Sequence, residues 1–137
     1  MNIRKVAAIA AVAAAAAVSY GAGHADAVPH RDKVQWPTSP TARDLRVRGV
    51  NVRKFLALGR CEAGRGDGYG GVRWRTPPGW KWQGAYGMYY TTHQSVGHPY
   101  GSDAGSMTWQ EQTLVAERVR IRYGIHAWGA ASCYIRG

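Results

Sequence analysis

Acidic residues are scarce in this chain of 137 residues, which contains eight Asp plus Glu against eighteen Lys plus Arg. The formal net charge of +10 suits polyanionic partners, of which cell-wall polymers, anionic lipid and nucleic acid are the main classes. No recognised nucleic-acid-binding motif accompanies the charge, so we expect no specific nucleic acid partner. Anionic wall polymers stay a candidate partner.

Common catalytic motifs are also absent. The sequence has no Gly-x-Ser-x-Gly, no Walker loop, no His-Glu-x-x-His and no cysteine–histidine nucleophile pattern. We therefore expect no cofactor. The two cysteines have no histidines nearby at ligand spacing, so we expect no metal site. If the chain is an enzyme, its few carboxylates must carry the chemistry.

Apolar runs are short. The one notable run, from Val6 to Val18, falls below the roughly 20 residues that span a bilayer, so we expect no transmembrane segment. It follows a basic start and precedes small residues that end at Ala27, which is the order of a secretory signal peptide. We expect residues 1–27 to be removed and the rest to be secreted. The alternative is a buried alanine-rich helix.

Cysteine is limited to Cys61 and Cys133. In an exported protein such a pair is expected to form a disulfide, because the compartment is oxidising. Closing so long a loop would stabilise the fold by about 4 kcal/mol on the chain-entropy model. Two free thiols are the alternative.

The predicted mature chain divides into a leader and one domain. Residues 28–43 contain Pro, Ser and Thr without periodicity, which predicts a flexible leader. Residues 44–137 suffice for one domain and leave no room for a second. We expect a monomeric domain with a middle segment rich in glycine and aromatic residues. About half of those rings should form the core, and the rest should be exposed for stacking on sugars or bases.

A helix with one buried face is predicted before the glycines that start at Gly64. Its apolar positions recur at helical spacing, at Val52, Phe55, Leu56 and Gly59. Glu62 then lies in or just beyond the last turn, where the helix dipole disfavours a carboxylate. A residue placed against local preference suggests a function.

The last helix is predicted as scaffold. Thr108 and Glu111 have the spacing of a capping box, and Gly124 ends the apolar stripe. The cap accounts for Glu111. Glu117 is predicted to lie on a solvated face, paired with Arg118 or Arg120.

Glu62 is then the carboxylate without a structural role, and Asp67 is its near neighbour in sequence. A glutamate at the edge of an aromatic cleft suits protonation of a glycosidic oxygen, since apolar surroundings favour the protonated form. Hydrolysis usually needs a second carboxylate, which Asp67 supplies only if the glycine loop folds back. Otherwise the sugar's own hydroxyl must attack. A noncatalytic glycan-binding module is the alternative function.

Four segments resemble the transglycosylase-like domain of the resuscitation-promoting factors, a lysozyme-like family of exported muralytic proteins. The family opens with Cys-Glu-Ser-Gly-Gly, has a Tyr-Gly-Gly-Leu-Gln-Phe segment followed by Thr-Trp, and ends with a helix similar to Gln-Gln-x-x-Val-Ala-Glu-Arg-Val. The matching segments here are Cys61-Glu62-Ala63-Gly64, Gly84-Ala85-Tyr86-Gly87-Met88 with Thr92-His93, Glu111-Gln112 with Val115-Ala116-Glu117-Arg118-Val119, and a tail with Gly124, Ala127-Trp128 and Cys133.

The resemblance implies a small, mainly α (α+β) lysozyme-like domain with a Cys61–Cys133 bridge. It implies that Glu62 is the general acid that cleaves the β-1,4 bond between N-acetylmuramic acid and N-acetylglucosamine in peptidoglycan. Residues expected to line the cleft are Trp82, Tyr86, Tyr89 and Thr92. The chain departs from the family where Ala63 replaces a serine, Gly87 a glutamine and His93 a tryptophan. We expect His93 to face solvent.

Overall fold

Helices, counting three short 3-10 segments, make up about half of residues 35–137, the part of the chain that the computed structural model describes. The predicted signal peptide and the start of the predicted leader lie outside the described residues. The helices are α1 (Ala42–Val47), α2 (Val52–Glu62), α3 (Tyr90–Gln94), α4 (Trp109–Tyr123) and α5 (Ala131–Arg136). The strands are β1 (Arg65–Gly68), β2 (Trp82–Gln83) and β3 (Met88–Tyr89). Within these residues no helix has the length and apolar character needed to cross a bilayer.

The folded domain begins earlier than predicted. The side chain of Trp36 packs against the core and meets the ring of Tyr100 edge-on, with the centroids 5.6 Å apart. The Tyr100 hydroxyl donates a hydrogen bond of 2.7 Å to the carbonyl of Pro37. Residues 35–43, which were expected to form part of a flexible leader, therefore belong to the folded domain, because Trp36 anchors this segment to it.

Two helices, α1 and α2, form where the sequence predicted a single helix before Gly64. A capping box between Thr41 and Asp44 starts α1. Gly49 then takes a φ of +72°, which interrupts the helix. The side chain of Asn51 accepts a hydrogen bond from the Lys54 amide and starts α2. Glu62 is the last residue of α2, as predicted.

The core lies between α2 and α4. Phe55 of α2 is fully buried, and its ring meets the rings of Tyr86 and Tyr134 at 5.5 Å and 5.0 Å. Burial of such a side chain contributes about 2 to 3 kcal/mol. On α4, the buried apolar residues are Leu114, Val115, Ala116 and Val119.

The capping box at Thr108 and Glu111 starts α4, and Gly124 ends it with a φ of +80°; both were predicted. Glu117 differs from prediction in one respect. It pairs with Arg120 through two hydrogen bonds of 2.5 Å and 2.9 Å, but it is buried rather than solvated. The guanidinium group therefore compensates a carboxylate placed at the edge of the core.

A short hairpin lies directly before α3 and carries Trp82, Tyr86 and Tyr89, three of the residues expected to line the cleft. Its strands β2 and β3 are antiparallel and pair Trp82 with Tyr89. The turn is fixed on α4 by Gln112, whose amide oxygen accepts the Ala85 N–H at 2.8 Å. Gly84 is required here, because its φ is +68° and a Cβ would lie 2.4 Å from that same oxygen.

Cys61 and Cys133 form the predicted disulfide, with an S–S distance of 2.03 Å and a Cα–Cα distance of 6.5 Å. The bridge joins α2 to α5 across 72 positions of sequence. The domain is thus a small helical fold with one two-stranded antiparallel sheet and one covalent link between its first and last parts.

Candidate active site

The side chain of Glu62 lines a cleft of about 390 Å³. The end of α2 supplies Glu62, and the hairpin supplies one wall. The segment between α4 and α5 supplies the opposite wall. The lining residues are Glu62, Trp82, Gly87, Ala127, Trp128 and Gly129. Three elements that are distant in sequence therefore meet around one carboxyl group.

The two oxygens of Glu62 have different surroundings. Oε1 accepts a hydrogen bond of 3.0 Å from the backbone N–H of Ala130, just before α5. Oε2 lies 3.4 Å from the position that a Cβ on Gly87 would take. Because Gly87 has no side chain, this second oxygen faces open space in the cleft. A carboxyl group held in this way can keep its acceptor oxygen on Ala130 and use the other oxygen for proton transfer.

Two tryptophans flank the carboxyl group. Trp128 is buried, and its indole N–H donates a hydrogen bond of 2.8 Å to the carbonyl of Tyr86, which fixes the ring. Trp82 is 58% exposed, so one face of it is free for a ligand. Its ring leans on Tyr89 with the centroids 5.4 Å apart, and the ammonium group of Lys81 lies 5.4 Å from the Tyr89 ring. Trp82 and Tyr89 thus form a shared aromatic wall.

Tyr86 does not line the cleft, contrary to the sequence-based expectation. Its side chain is fully buried, and its hydroxyl is hydrogen-bonded to that of Thr113 at 2.8 Å. Burial raises the pKa of the Tyr86 phenol. The hairpin turn directs this ring into the core, and only the carbonyl of Tyr86 serves the site, as the acceptor for Trp128.

Thr92 lies in a second depression next to the first. This depression holds about 600 Å³, and the two share Ala127. Its wall is rich in polar groups, and the hydroxyls of Ser95 and Tyr123 are hydrogen-bonded to each other at 2.7 Å. The lining residues are Thr91, Thr92, Ser95, Tyr123, His126 and Ala127. Thr92 is therefore placed beside the Glu62 cleft rather than inside it.

Among residues 35–137, Glu62 is the only carboxylate that lines the cleft. Asp67 is exposed on β1 and is not part of that lining. Asp44, Asp103 and Glu111 cap helical turns. Glu62 can protonate and deprotonate a ligand that is bound against the aromatic wall. The described residues that line the cleft supply no second carboxylate as a nucleophile or as a base for water.

His93 is buried, which contradicts the expectation that it faces solvent. Its Nε2 lies 3.0 Å from the Oε1 of Gln83, and its Nδ1 lies 2.9 Å from the Nε2 of His98. Gln83 is the neighbour of Trp82 on β2. The two histidines therefore hold the strand that carries the exposed wall of the cleft. No sequence pattern indicates this role, because the contact depends on how the segment 93–98 turns back.

The backbone fixes every proton in this histidine network. The N–H of Ala104 donates to Gln83 Oε1 at 3.1 Å, so that oxygen is an acceptor and His93 Nε2 must donate to it. At the other end, the N–H of Tyr100 donates to His98 Nδ1 at 3.2 Å. His98 Nε2 must then donate to His93 Nδ1. Both rings are neutral in this arrangement, and burial lowers the pKa of each.

No family model, curated protein or solved structure matches this chain. Of the predicted site residues, Glu62 and Trp82 line the cleft, Tyr89 contacts Trp82 without lining it, and Tyr86 and Thr92 lie outside it.

Proposed function

We propose that this protein is an exported peptidoglycan-cleaving enzyme with a lysozyme-like fold, in which Glu62 is the general acid. The observation that carries the proposal is the carboxyl group of Glu62, which has one oxygen held by the Ala130 amide and the other open to a cleft beside Trp82. The resemblance to the transglycosylase-like domain of the resuscitation-promoting factors supports the substrate, the β-1,4 bond between N-acetylmuramic acid and N-acetylglucosamine.

In the proposed reaction, Glu62 Oε2 gives its proton to the glycosidic oxygen while the bond from C1 of N-acetylmuramic acid to that oxygen breaks. The N-acetylglucosamine side leaves as a neutral alcohol. The positive charge that develops at C1 is then satisfied by an incoming oxygen. Glu62, now a carboxylate, takes the proton from that oxygen and returns to its starting state.

The substrate's own hydroxyl is the incoming oxygen that this cleft favours. A hydrolase of the retaining or inverting type uses a second carboxylate as nucleophile or as the base for water. Among the described residues that line the cleft, Glu62 has no such companion. Attack by the muramic acid hydroxyl requires one acid/base group only, and it gives an anhydro-muramyl product. We therefore propose transglycosylation rather than hydrolysis.

The aromatic wall supports a glycan as the ligand. Trp82 presents a flat apolar surface that is 58% exposed, and the ring of its cross-strand neighbour Tyr89 packs against it. The apolar face of a sugar ring can stack on such a surface while its hydroxyls stay hydrated. The neighbouring depression with Thr92 gives room for the next part of a strand, with hydroxyl groups available for hydrogen bonds.

A glycan-binding module of the same fold, without catalysis, is the second candidate. It is favoured by the absence of two polar residues of the family pattern near Glu62, since Ala63 replaces a serine and Gly87 replaces a glutamine. Such a module would use the aromatic wall and leave Glu62 without a chemical role. Secretion and work as a monomer at the wall are part of both proposals, and the disulfide is consistent with an oxidising compartment.

Glu62→Gln tests the chemistry with minimal change in shape, because the amide oxygen can still accept the Ala130 N–H. Purified protein should release soluble muropeptides with anhydro-muramyl ends from cell walls, detected by mass spectrometry. Glu62→Gln should release at least about a hundredfold less, in line with the loss of a general acid. The exposed carboxylate variant Asp67→Asn should retain activity. Equal release by wild type and Glu62→Gln would remove Glu62 from the mechanism.

Trp82→Ala separates the two candidates. If the protein is a binding module, the wild-type protein should co-sediment with cell walls and release no products, and Trp82→Ala should bind the walls more weakly. If the protein is an enzyme, the wild-type protein should release soluble products, and Trp82→Ala should lower the rate of their release. Unchanged wall binding and unchanged release in this variant would contradict the aromatic wall in both proposals.

A further inference from the structure

We propose that a depression between α2 and α5, separate from the Glu62 cleft, binds the phosphate groups of a phosphodiester-linked polyol or sugar polymer. The depression holds about 410 Å³ and contains three arginines. Its lining residues are Ala57, Arg60, Cys61, Arg65, Cys133, Arg136 and Gly137. The proposal does not depend on the chemistry of Glu62.

Helical spacing brings these arginines together. Ala57, Arg60 and Cys61 are spaced i, i+3 and i+4, so they share one face of α2. Cys133, Arg136 and Gly137 have the same spacing at the end of α5. The disulfide links the two faces at the floor of the depression, and Arg65 of β1 completes the rim. The covalent bridge therefore holds together the two helix faces that carry Arg60 and Arg136.

The positive charge of the depression is not neutralised within the domain. Among residues 35–137, the only ion pair joins Glu117 to Arg120, on α4. Arg60 donates a hydrogen bond of 2.9 Å to the carbonyl of Gly70, which orients its guanidinium group and leaves other N–H groups available. Arg65 and Arg136 are exposed. Even with a terminal carboxylate on Gly137, three guanidinium groups would leave the depression positive.

Phosphate is the anion that this arrangement fits best. A guanidinium group binds phosphate with two parallel hydrogen bonds, and several such groups around one concavity can hold neighbouring phosphates of a chain. None of the seven lining residues is aromatic. Nucleic acid bases would therefore find no ring to stack on, whereas a polymer of phosphate and polyol or sugar units needs none.

The depression shares no lining residue with the Glu62 cleft. The two lie on different sides of the end of α2, since Cys61 faces one and Glu62 the other. A wall polymer in the depression can thus be bound while a glycan occupies the cleft. Such binding would hold the protein at an anionic wall independently of cleavage.

The test compares two triple variants that remove the same charge. The first variant, Arg60→Gln/Arg65→Gln/Arg136→Gln, removes the positive charge of the depression. The control, Arg46→Gln/Arg53→Gln/Arg75→Gln, removes three exposed arginines elsewhere. The probe is a fluorescent synthetic poly(glycerol phosphate) oligomer, with binding followed by anisotropy at about 0.1 M salt. We expect the first variant to bind at least about tenfold more weakly than wild type and the control to change less than about threefold.

Arg65→Gln/Arg136→Gln keeps the Arg60–Gly70 hydrogen bond and should still weaken binding by more than about threefold, with an unchanged circular dichroism spectrum. Equal losses in both triple variants would overturn the proposal, since they would mean that general surface charge accounts for binding. A single-stranded oligonucleotide of matched charge should bind more weakly than the polyol polymer. Tighter oligonucleotide binding that is lost in the first triple variant would assign the depression to nucleic acid and overturn the polymer assignment.

Discussion

Lowering the pH should destabilise the domain through His93 and His98, a pair whose hydrogen bonds leave no site for an additional proton. Protonation of His98 Nδ1 would set a proton against the N–H of Tyr100. Protonation of His93 Nδ1 would set it against the N–H of His98. Either event breaks the network that holds Gln83 and strand β2.

The pKa of His98 gives the direction and size of the effect. Burial, together with the neighbouring His93, lowers this pKa from 6.5 to about 4, while Glu111 acts weakly in the opposite sense. Burial also lowers the pKa of His93, against an opposing effect of Asp103. The unfolded chain therefore takes up protons first as the pH falls. The stabilisation is complete above about pH 6.5 and is lost progressively down to about pH 4.

The magnitude follows from the shift of the His98 pKa. A difference of this size corresponds to roughly 3 kcal/mol. Part of the ring is accessible to solvent, so we expect a loss of about 2 kcal/mol in the free energy of unfolding between about pH 7 and pH 4.5. The measurement is urea denaturation at a series of pH values, followed by circular dichroism.

Two variants make this prediction specific. His98→Gln should lower stability at neutral pH, but its stability should depend less on pH over this range, because the titrating group is gone. His126→Gln is the control, since His126 is exposed and its variant should follow the wild-type profile. If wild type and His98→Gln lose stability in parallel as the pH falls, the assignment of the acid sensitivity to this pair is wrong.

Two further predictions concern the scaffold. Cys61→Ser/Cys133→Ser should lower the free energy of unfolding by about 4 kcal/mol, measured by urea denaturation, and a variant as stable as wild type would contradict the loop-closure argument. Gly84→Ala should cost about 2 kcal/mol because of its positive φ and the clash with Gln112, and Gly97→Ala is its matched control, with a similar φ and open space around it. Similar losses in both glycine variants would mean that the clash contributes little.

Features set by local sequence were predictable. The capping box at Thr108, the helix end at Gly124 and the position of Glu62 in the last turn of α2 each depend on a few neighbouring residues. The Cys61–Cys133 bridge was predictable because only two cysteines were available and an oxidising compartment was expected. In each case the decisive interaction lies within one helical turn or between two unique residues.

Features set by packing between distant segments were not predictable. Tyr86 and Trp82 both lie in the aromatic hairpin, but one is fully buried and the other is 58% exposed. The difference arises because the hairpin turn packs on Gln112 and Thr113 of α4, which are 27 positions away from their partners. Trp36 joins the core for the same kind of reason. Sequence composition identifies such rings but does not assign each of them to core or cleft.

The adjacency of Cys61 and Glu62 has a structural reason in this fold. The disulfide ties the end of α2 to α5 at Cys133, and Glu62 accepts the N–H of Ala130, three residues before that cysteine. The covalent link restricts how far α5 can move from α2, so the amide that holds Oε1 stays within reach. At the C-terminal end of a helix, the backbone of that helix offers no free N–H to a carboxyl group. Glu62 therefore accepts its hydrogen bond from the segment before α5, which the disulfide holds beside α2. The sulfur next to the acid therefore places the hydrogen-bond donor that leaves Oε2 free for the cleft.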